Sequence, residues 1–472
     1  MRDSEESVFG RMPLLPSERE YGTLGANSTC FAYGVATWCF LTGGYVAELV
    51  GAVDALVCLV AGNMIGVFLA SLPLSFACQR NGLEQIDACK PAFGSRGIVV
   101  VLILYLINML GWTGLILVMF GNGIRNIALA LGYDLGTWVV SVGVAVGMAL
   151  SFLLVTRGVS LMNRFNAVIT PGLILLVGFL FYMLLDGHGW QAITEAEPLL
   201  PVSSPMLNYL LAVELGIASG FSWWGGVGFL ARNTRTKRNS IFPEVIQLGF
   251  SAGAVCAAGS FSALIVGSTD PTEWMVPLGG VVLGVIALAF VALANITSSA
   301  VSIYASGLAL RHLRVFRGMK WKWVVGAILI PCLPFVLWPA EISSLGDAFL
   351  AYNGTMYAPI SGILLVDYFV LQRQSISLWS IFEDGPTGRY YHVRGVNAVA
   401  FIALISGQAL YVFLYNPFSG ATHDWFILVN PSLGSLAFSA GLYWIGMWVV
   451  RRGASAESMA PDDESVLVRP NI

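Results

Sequence analysis

Three short stretches of the chain hold residue types suited to binding a small polar ligand. The richest is Gly216-Ile-Ala-Ser-Gly220-Phe221-Ser222-Trp223-Trp224-Gly225-Gly226-Val227-Gly228, with five glycines, two hydroxyls and three bulky aromatics. Glycine weakens a helix and aromatic rings offer flat faces, so this stretch could unwind and stack a planar ring. The same small residues would equally let two membrane helices approach closely. A second stretch, Ala294-Asn295-Ile-Thr297-Ser298-Ser299-Ala300, places an amide and three hydroxyls in a row. Hard oxygens suit a dehydrated Na⁺ and not a soft metal, while hydroxyls also bond between membrane helices. The third, Asn108-Met-Leu-Gly111-Trp112-Thr-Gly114, sets a tryptophan between two glycines, as a stacking face or as a packing residue.

Such residues need rigid elements to hold them, and composition says which kind. The chain of 472 residues is 57% hydrophobic and 11% charged, with a mean hydropathy of +0.76. A soluble domain is about 25% charged, so a soluble enzyme is excluded, as is a disordered chain. The net charge of −3 gives no argument for a nucleic-acid partner. Apolar runs of the ~20 residues that a spanning helix needs fall at about 28–50, 53–77, 97–124, 136–156, 163–186, 206–230, 242–268, 277–310, 321–339, 343–371, 394–417 and 427–450, numbered here as spans 1 to 12. With the N-terminus in the cytoplasm, every one of the 24 Lys and Arg residues except Arg125 falls on the cytoplasmic side. A wrong count would destroy that alternation. The sequence therefore predicts an all-α polytopic membrane protein, twelve transmembrane helices in a lipid bilayer with both termini cytoplasmic. Residues 1–27 read as a polar cytoplasmic segment with no cleavable signal peptide, and 451–472 as a polar cytoplasmic tail.

Membrane helices are interrupted where unwound backbone lines a polar cavity. Span 6 carries the glycine cluster, and span 1 has a milder version at Gly34 and Thr42-Gly43-Gly44. Weak points at matching places in two five-helix halves point to a transporter site built on inverted repeats. The expected core is 28–371, with repeats at about 28–186 and 206–371, followed by a loop and spans 11 and 12 at 372–450. Trp112 lies near the middle of span 3, away from the interfaces where tryptophan usually sits. Glu214 and Asp347 are acidic residues within spans, which are functional by default. Glu214 could be protonated, could form an external gate contact, or could pair with a polar neighbour. Asp367 beside Arg373 reads as an ion pair. None of the four histidines lies within a span, and the seven cysteines read as small buried hydrophobes.

At these residues the chain resembles the nucleobase–cation symport-1 family. The resemblance is carried by Ala358-Pro-Ile-Ser-Gly-Ile-Leu-Leu-Val-Asp367-Tyr-Phe-Val-Leu-Gln-Arg373, by Ile376-Ser-Leu-Trp and by Tyr391-His-Val-Arg394-Gly-Val-Asn397. Phe93-Gly-Ser-Arg-Gly97 ahead of Gly111-Trp112-Thr-Gly114, Thr42-Gly43-Gly44, and Ile303-Tyr-Ala-Ser-Gly-Leu308 add to it. It implies spans 1–5 and 6–10 as inverted repeats with broken helices 1 and 6, and spans 11 and 12 outside the core. It implies substrate stacked between Trp112 and a span 6 aromatic, Phe221 after Gly220, with Trp223 and Trp224 as rivals and Ser222 beside them. It also implies Na⁺ held by carbonyls of Ala32, Val35 and Ala294 and hydroxyls of Thr297 and Ser298. The family's span 1 substrate contact falls on Ala36 here, and a span 8 asparagine falls on Ile303. Asn295, Asn108, Thr37 or Asn353 could supply an amide or hydroxyl instead.

The resulting expectation is a secondary active symporter, not an enzyme. It would import a neutral planar nucleobase or related heterocycle (cytosine, uracil, purine, allantoin or hydantoin type) coupled to a cation, Na⁺ or else H⁺, across a plasma membrane, a bacterial inner membrane from its compact loops. An amino-acid or amine transporter of the same architecture is the rival, and would need a reader of charged groups. No HExxH motif, histidine cluster or triad suggests an enzyme, no cofactor beyond the coupling ion is implied, and no obligate protein partner is evident.

Overall fold

The computed structural model describes residues 12–457, apart from positions 203, 317 and 384. The N-terminal segment before Met12 and the tail beyond Glu457 lie outside the described residues. Every expected span is helical. Among the described residues, eight helices are long and apolar enough to cross a membrane by length and composition, and they are spans 2, 3, 4, 6, 7, 8, 10 and 12. Span 1 is a bent pair, Thr23–Gly34 and Trp38–Ala47, whose halves meet at 57°. Span 5 (Val159–Gly187) turns by 96° into a short helix, Gly189–Glu195. Spans 9 (Trp321–Leu337) and 11 (Ala398–Leu414) are shorter apolar helices.

The two halves of the core are related by the way their helices pair. The second half of span 1, Trp38–Ala47, packs on span 7, and span 2 packs on span 6. Exchanging span 1 with 6 and span 2 with 7 converts one contact into the other. The third large contact, span 3 on span 8, maps onto itself under the same exchange. This is the signature of inverted repeats. Spans 11 and 12 pack on each other and on span 10, outside that symmetry.

Small residues set the closest approaches. A Cβ on Gly62 would come within 2.9 Å of Gly216 backbone, and one on Gly66 within 2.8 Å of Gly220. Span 2 thus packs backbone to backbone on span 6 through two glycines from each helix. This explains why the interruption of span 6 is slighter than its glycines suggest. Pro205–Ser222 and Trp224–Arg232 are separated only by Trp223, which keeps right-handed angles (φ −71, ψ −11). Span 1 is broken more deeply, with Val35 extended (φ −88, ψ 97). Span 7 contains a π-helical turn, Glu244–Ser251. The side-chain amide of Asn63 on span 2 donates to Leu248 O (2.7 Å) and Gly249 O (2.8 Å), capping carbonyls within that wider turn.

All seven cysteines are buried and unpaired. Asp367 does not pair with Arg373: it accepts a hydrogen bond from Tyr443 Oη of span 12 at 2.9 Å. Span 10 ends at Arg373 and Gln374, both left-handed (φ 50 and 60), which take the arginine off the helical line. Glu214 is fully buried and pairs with polar neighbours, the third of its possible roles. It accepts from Tyr411 Oη (2.7 Å) on span 11 and from Ser432 Oγ (2.6 Å) and N (3.2 Å) on span 12.

Candidate functional site

The break in span 1 is where the chain gathers its uncommitted polar groups and its aromatic rings. With Val35 extended and Ala36–Thr37 in a turn, no backbone N–H among the described residues bonds the carbonyls of Ala32 or Val35. The Thr37 hydroxyl donates to the Asn295 side-chain carbonyl, tying the break to the hydroxyl-rich stretch of span 8. The Asn295 amide nitrogen is buried and has no partner among the described residues. Thr297 Oγ1 donates to Ala294 O at 2.8 Å, which leaves the hydroxyl lone pairs facing outward from that bond. The buried Ser299 hydroxyl has no partner among the described residues.

Trp38, the first residue after the break, carries the aromatic cluster. Its ring centroid lies 5.5 Å from Trp112 of span 3 and 4.9 Å from Trp223 of span 6, both edge-on. Tyr33, on the first half of span 1, lies 5.2 Å from Trp223. Phe349 of span 10 lies 5.5 Å from Trp112. None of these pairs is parallel, with interplanar angles of 58° to 74°. Edge-to-face contacts of this kind leave ring faces free for stacking. Spans 3 and 10 are joined one turn further by Asn108, whose amide donates to the Asn353 side-chain carbonyl. The Asn108 carbonyl oxygen is buried with no partner among the described residues.

The same helix faces continue into a cleft. Trp38, Leu41 and Tyr45 follow one another at i, i+3 and i+7, as Trp112, Met119 and Asn122 do at i, i+7 and i+10, so each set lines one face. Leu41, Tyr45, Met119, Asn122, Arg125 and Asp347 line a cleft of about 490 Å³ at the end of the bundle away from Thr23. Asp347 stands in the first turn of the span 10 helix, at this cleft and not in mid-span. Asp270, also in the lining, is spent on structure: it accepts from Asn122 Nδ2 (2.7 Å) and from Thr272 N and Oγ1 (2.8 and 2.7 Å).

The structure brings Trp112 and Trp223 to one cluster through Trp38. Phe221 is fully buried, Trp224 stacks in parallel on Tyr357 of span 10 (4.9 Å, 12°), and neither makes a ring contact with Trp38 or Trp112 among the described residues. Gly220 faces span 2, and the Ser222 hydroxyl donates to Ser219 O at 2.6 Å. Of the cation set, Ala32 and Val35 sit at the break, Ala294 and Thr297 are bonded to each other, and Ser298 is half-buried on the next turn position. Trp38 was not foreseen. The signal that could have found it is a tryptophan in mid-span four residues beyond Gly34, the same anomaly that singled out Trp112.

Two further polar sites lie outside this cluster. Glu244, fully buried in span 7, accepts from Ser75 of span 2. In the loops, His312 Nε2 lies 3.3 Å from Glu84 and 3.5 Å from Asp87, and Lys90 lies 3.1 Å from Asp87. Burial alone would lower the His312 pKa, but the two carboxylates outweigh it and push it up to about 10. Burial would likewise raise the Asp87 carboxyl, but His312 and Lys90 hold it below the usual range.

Comparison with known proteins agrees with this architecture. The profile of a family described as permeases for cytosine/purines, uracil, thiamine and allantoin matches residues 18–446. A purine-uracil permease of Arabidopsis thaliana is 23% identical over 96% of this chain and 80% of its own length. A hydantoin permease of Microbacterium maritypicum is 23% identical over 82% of this chain and 80% of its own. The structure of Mhp1, a nucleobase-cation-symport-1 family transporter in a closed conformation with bromovinylhydantoin bound, superposes with a TM-score of 0.76 at 19% identity, covering 94% of this chain and 96% of that one. The likeness in fold extends to the twelve helices and the paired five-helix halves. By the extent of the profile match, the chain belongs to the nucleobase–cation symport-1 family of membrane permeases, and is a transporter and not an enzyme.

Proposed function

We propose that this protein is a secondary active symporter that imports a neutral, planar nucleobase or related heterocycle together with a cation, Na⁺ in preference to H⁺. The observation that carries this reading is the aromatic cluster of Trp38, Trp112 and Trp223 at the span 1 break, edge-packed and bordered by the unspent amide nitrogen of Asn295 and the unspent amide oxygen of Asn108. Ring faces supply affinity for any flat ring. The amides read its edge, and a ring with the wrong edge leaves them unsatisfied, at about 1–3 kcal/mol each. No carboxylate or basic side chain belongs to the cluster, which suits an uncharged ring.

The donor set for the cation is hard oxygen throughout: released carbonyls of Ala32 and Val35, the Ala294 carbonyl, and the Thr297 and Ser298 hydroxyls. This fits Na⁺ and no soft metal. A cation held between the span 1 break and span 8 would fix the angle between the two halves of span 1, and so favour one orientation of the bundle. Substrate and cation are then coupled because both bind that state better than its alternative. We place both termini in the cytoplasm because all basic residues but Arg125 then lie inside, and the membrane as a bacterial inner membrane because the loops are compact; the 490 Å³ cleft opens outward in that orientation.

The test is thermal stabilisation of the purified protein by a panel of pyrimidines, purines and hydantoins, in Na⁺ or in choline at fixed pH. At least one ring should stabilise the wild type in a Na⁺-dependent way, and Trp112→Ala should abolish the effect. Stabilisation that survives Trp112→Ala would move the site, and equal stabilisation in choline would exclude Na⁺.

A further inference from the structure

The reading above leaves open what sets the size of the ring, and the position of Trp38 bears on it. Trp38 touches both Trp112 and Trp223, which make no ring contact with each other among the described residues. Its own indole therefore links those two rings, one turn from where Met109 and Tyr105 of span 3 lie against Gly225 of span 6. Its contacts are edge-on at 65° and 72°, whereas Trp224 and Tyr357, both fully buried, stack in parallel on each other. The bridging indole is well packed, being 8% exposed. Its backbone follows the extended Val35 and the Ala36–Thr37 turn, where the two halves of span 1 meet at 57°. Within that turn, Ala36 contributes only a methyl group, so no other span 1 side chain in the break is large enough to fill the gap.

We infer that Trp38 is a specificity-determining residue of this site, a plug between Trp112 and Trp223 that admits single-ring heterocycles and excludes fused two-ring ones. The inference rests on the proposed function. An incoming ring must share the space between the two walls with the Trp38 indole. A five- or six-membered ring needs only a sideways shift of that indole. A purine has the same fused six–five outline as the indole, so both cannot occupy the gap, and close-packed surroundings do not relax to make room. Removing the indole opens a space of purine shape. Trp112 has a different part, since it supplies a wall for every ring.

The experiment measures dissociation constants for uracil, cytosine and hydantoin against adenine, hypoxanthine and xanthine. It uses the full-length wild type, Trp38→Ala, Trp38→Phe and Trp112→Ala in detergent with Na⁺ present. The wild type should bind its best single ring at least about tenfold more tightly than any fused ring. Trp38→Ala should shrink or invert that ratio by about tenfold or more, through tighter binding of fused rings, with Trp38→Phe in between. Trp112→Ala should weaken both classes alike. A wild type that binds a fused ring as tightly as its best single ring overturns the inference, as does a ratio unchanged in both Trp38 variants. If Trp38→Ala does not fold, Trp38→Phe together with the wild-type ratio decides. A wild type that binds none of the six rings would instead overturn the proposed function itself.

Discussion

The charged cluster at His312 gives a prediction whose sign and size both follow from geometry. The imidazole is 5% exposed, its Nδ1 lies 3.0 Å from Ala309 O, and its Nε2 faces Glu84 and Asp87. Its folded pKa of about 10 stands above an unfolded value of about 6.5. That interval corresponds to at most about 5 kcal/mol of stability. Because the folded value is the higher, the contribution is complete below about pH 6.5 and is lost as pH rises through about 10, with about half remaining near pH 8.5. Asp87 works in the opposite direction: its carboxyl is held below the usual range, so its contribution is lost only in acid, which leaves the alkaline window to His312. The perturbation is His312→Gln, which removes the charge. The assay is differential scanning fluorimetry of both purified chains at one heating rate from pH 6.5 to 10. The wild type should melt several degrees above the variant at pH 6.5, and the gap should close towards pH 10. Groups that titrate in both chains cancel in the difference. A gap that stays constant or widens with pH would refute the imidazolium reading.

Other residues give sharper yes-or-no outcomes. Glu214→Leu strands the Ser432 hydroxyl and amide in a dry interface, while Tyr411 keeps the Ala351 carbonyl, at about 1–3 kcal/mol for each unsatisfied group, so the melting temperature should fall while ring affinity stays put; a drop in affinity without a drop in stability would move Glu214 into the transport site. Gly66→Leu forces a side chain into the Gly220 backbone, and monodisperse protein on size exclusion should be lost, whereas Gly178→Leu, which meets nothing within 4 Å, should be tolerated. Thr297→Ala removes a hydroxyl from the cation set, and the Na⁺ concentration for half-maximal uptake should rise about tenfold or more; an unchanged Na⁺ dependence would remove Thr297 from that set.

The spans were legible because each signal behind them is averaged over many residues. Twenty apolar side chains and the placement of 24 basic ones leave little freedom in the helix count. Asp367 shows where local reading fails. Its sequence neighbour Arg373 looked like its partner, but two left-handed residues end the helix there, and the partner is Tyr443, 76 residues away. The glycines of span 6 show a different limit. Their spacing with Gly62 and Gly66 is one packing pattern shared between two helices, and a single stretch read alone cannot distinguish packing from unwinding. Which of Phe221, Trp223 and Trp224 faces Trp112 depends on the rotation of span 6, and that rotation is fixed by span 2.

The distribution of charge ties these points together. A carboxylate in a membrane interior must find hydrogen-bond donors or lose its charge. Glu214 and Asp367 find theirs in hydroxyls of spans 11 and 12, and Glu244 in a serine of span 2. Each therefore joins two helices, beside neutral bonds such as those of Asn63 and Ser439. Glu214 and Asp367 lie on opposite ends of the contact between the core and the last two spans, so they fix that pair of helices to spans 6 and 10 at two points. Glu244 joins spans 2 and 7. Span 1, by contrast, is held to span 8 by one neutral bond, Thr37 to Asn295. The strong polar links thus lie within the packed bodies, and the weak one lies at the break beside the aromatic cluster. A hinge at span 1 is what such an arrangement allows: the neutral link can be exchanged for contacts with a neutral ring at little electrostatic cost, whereas a charged one could not.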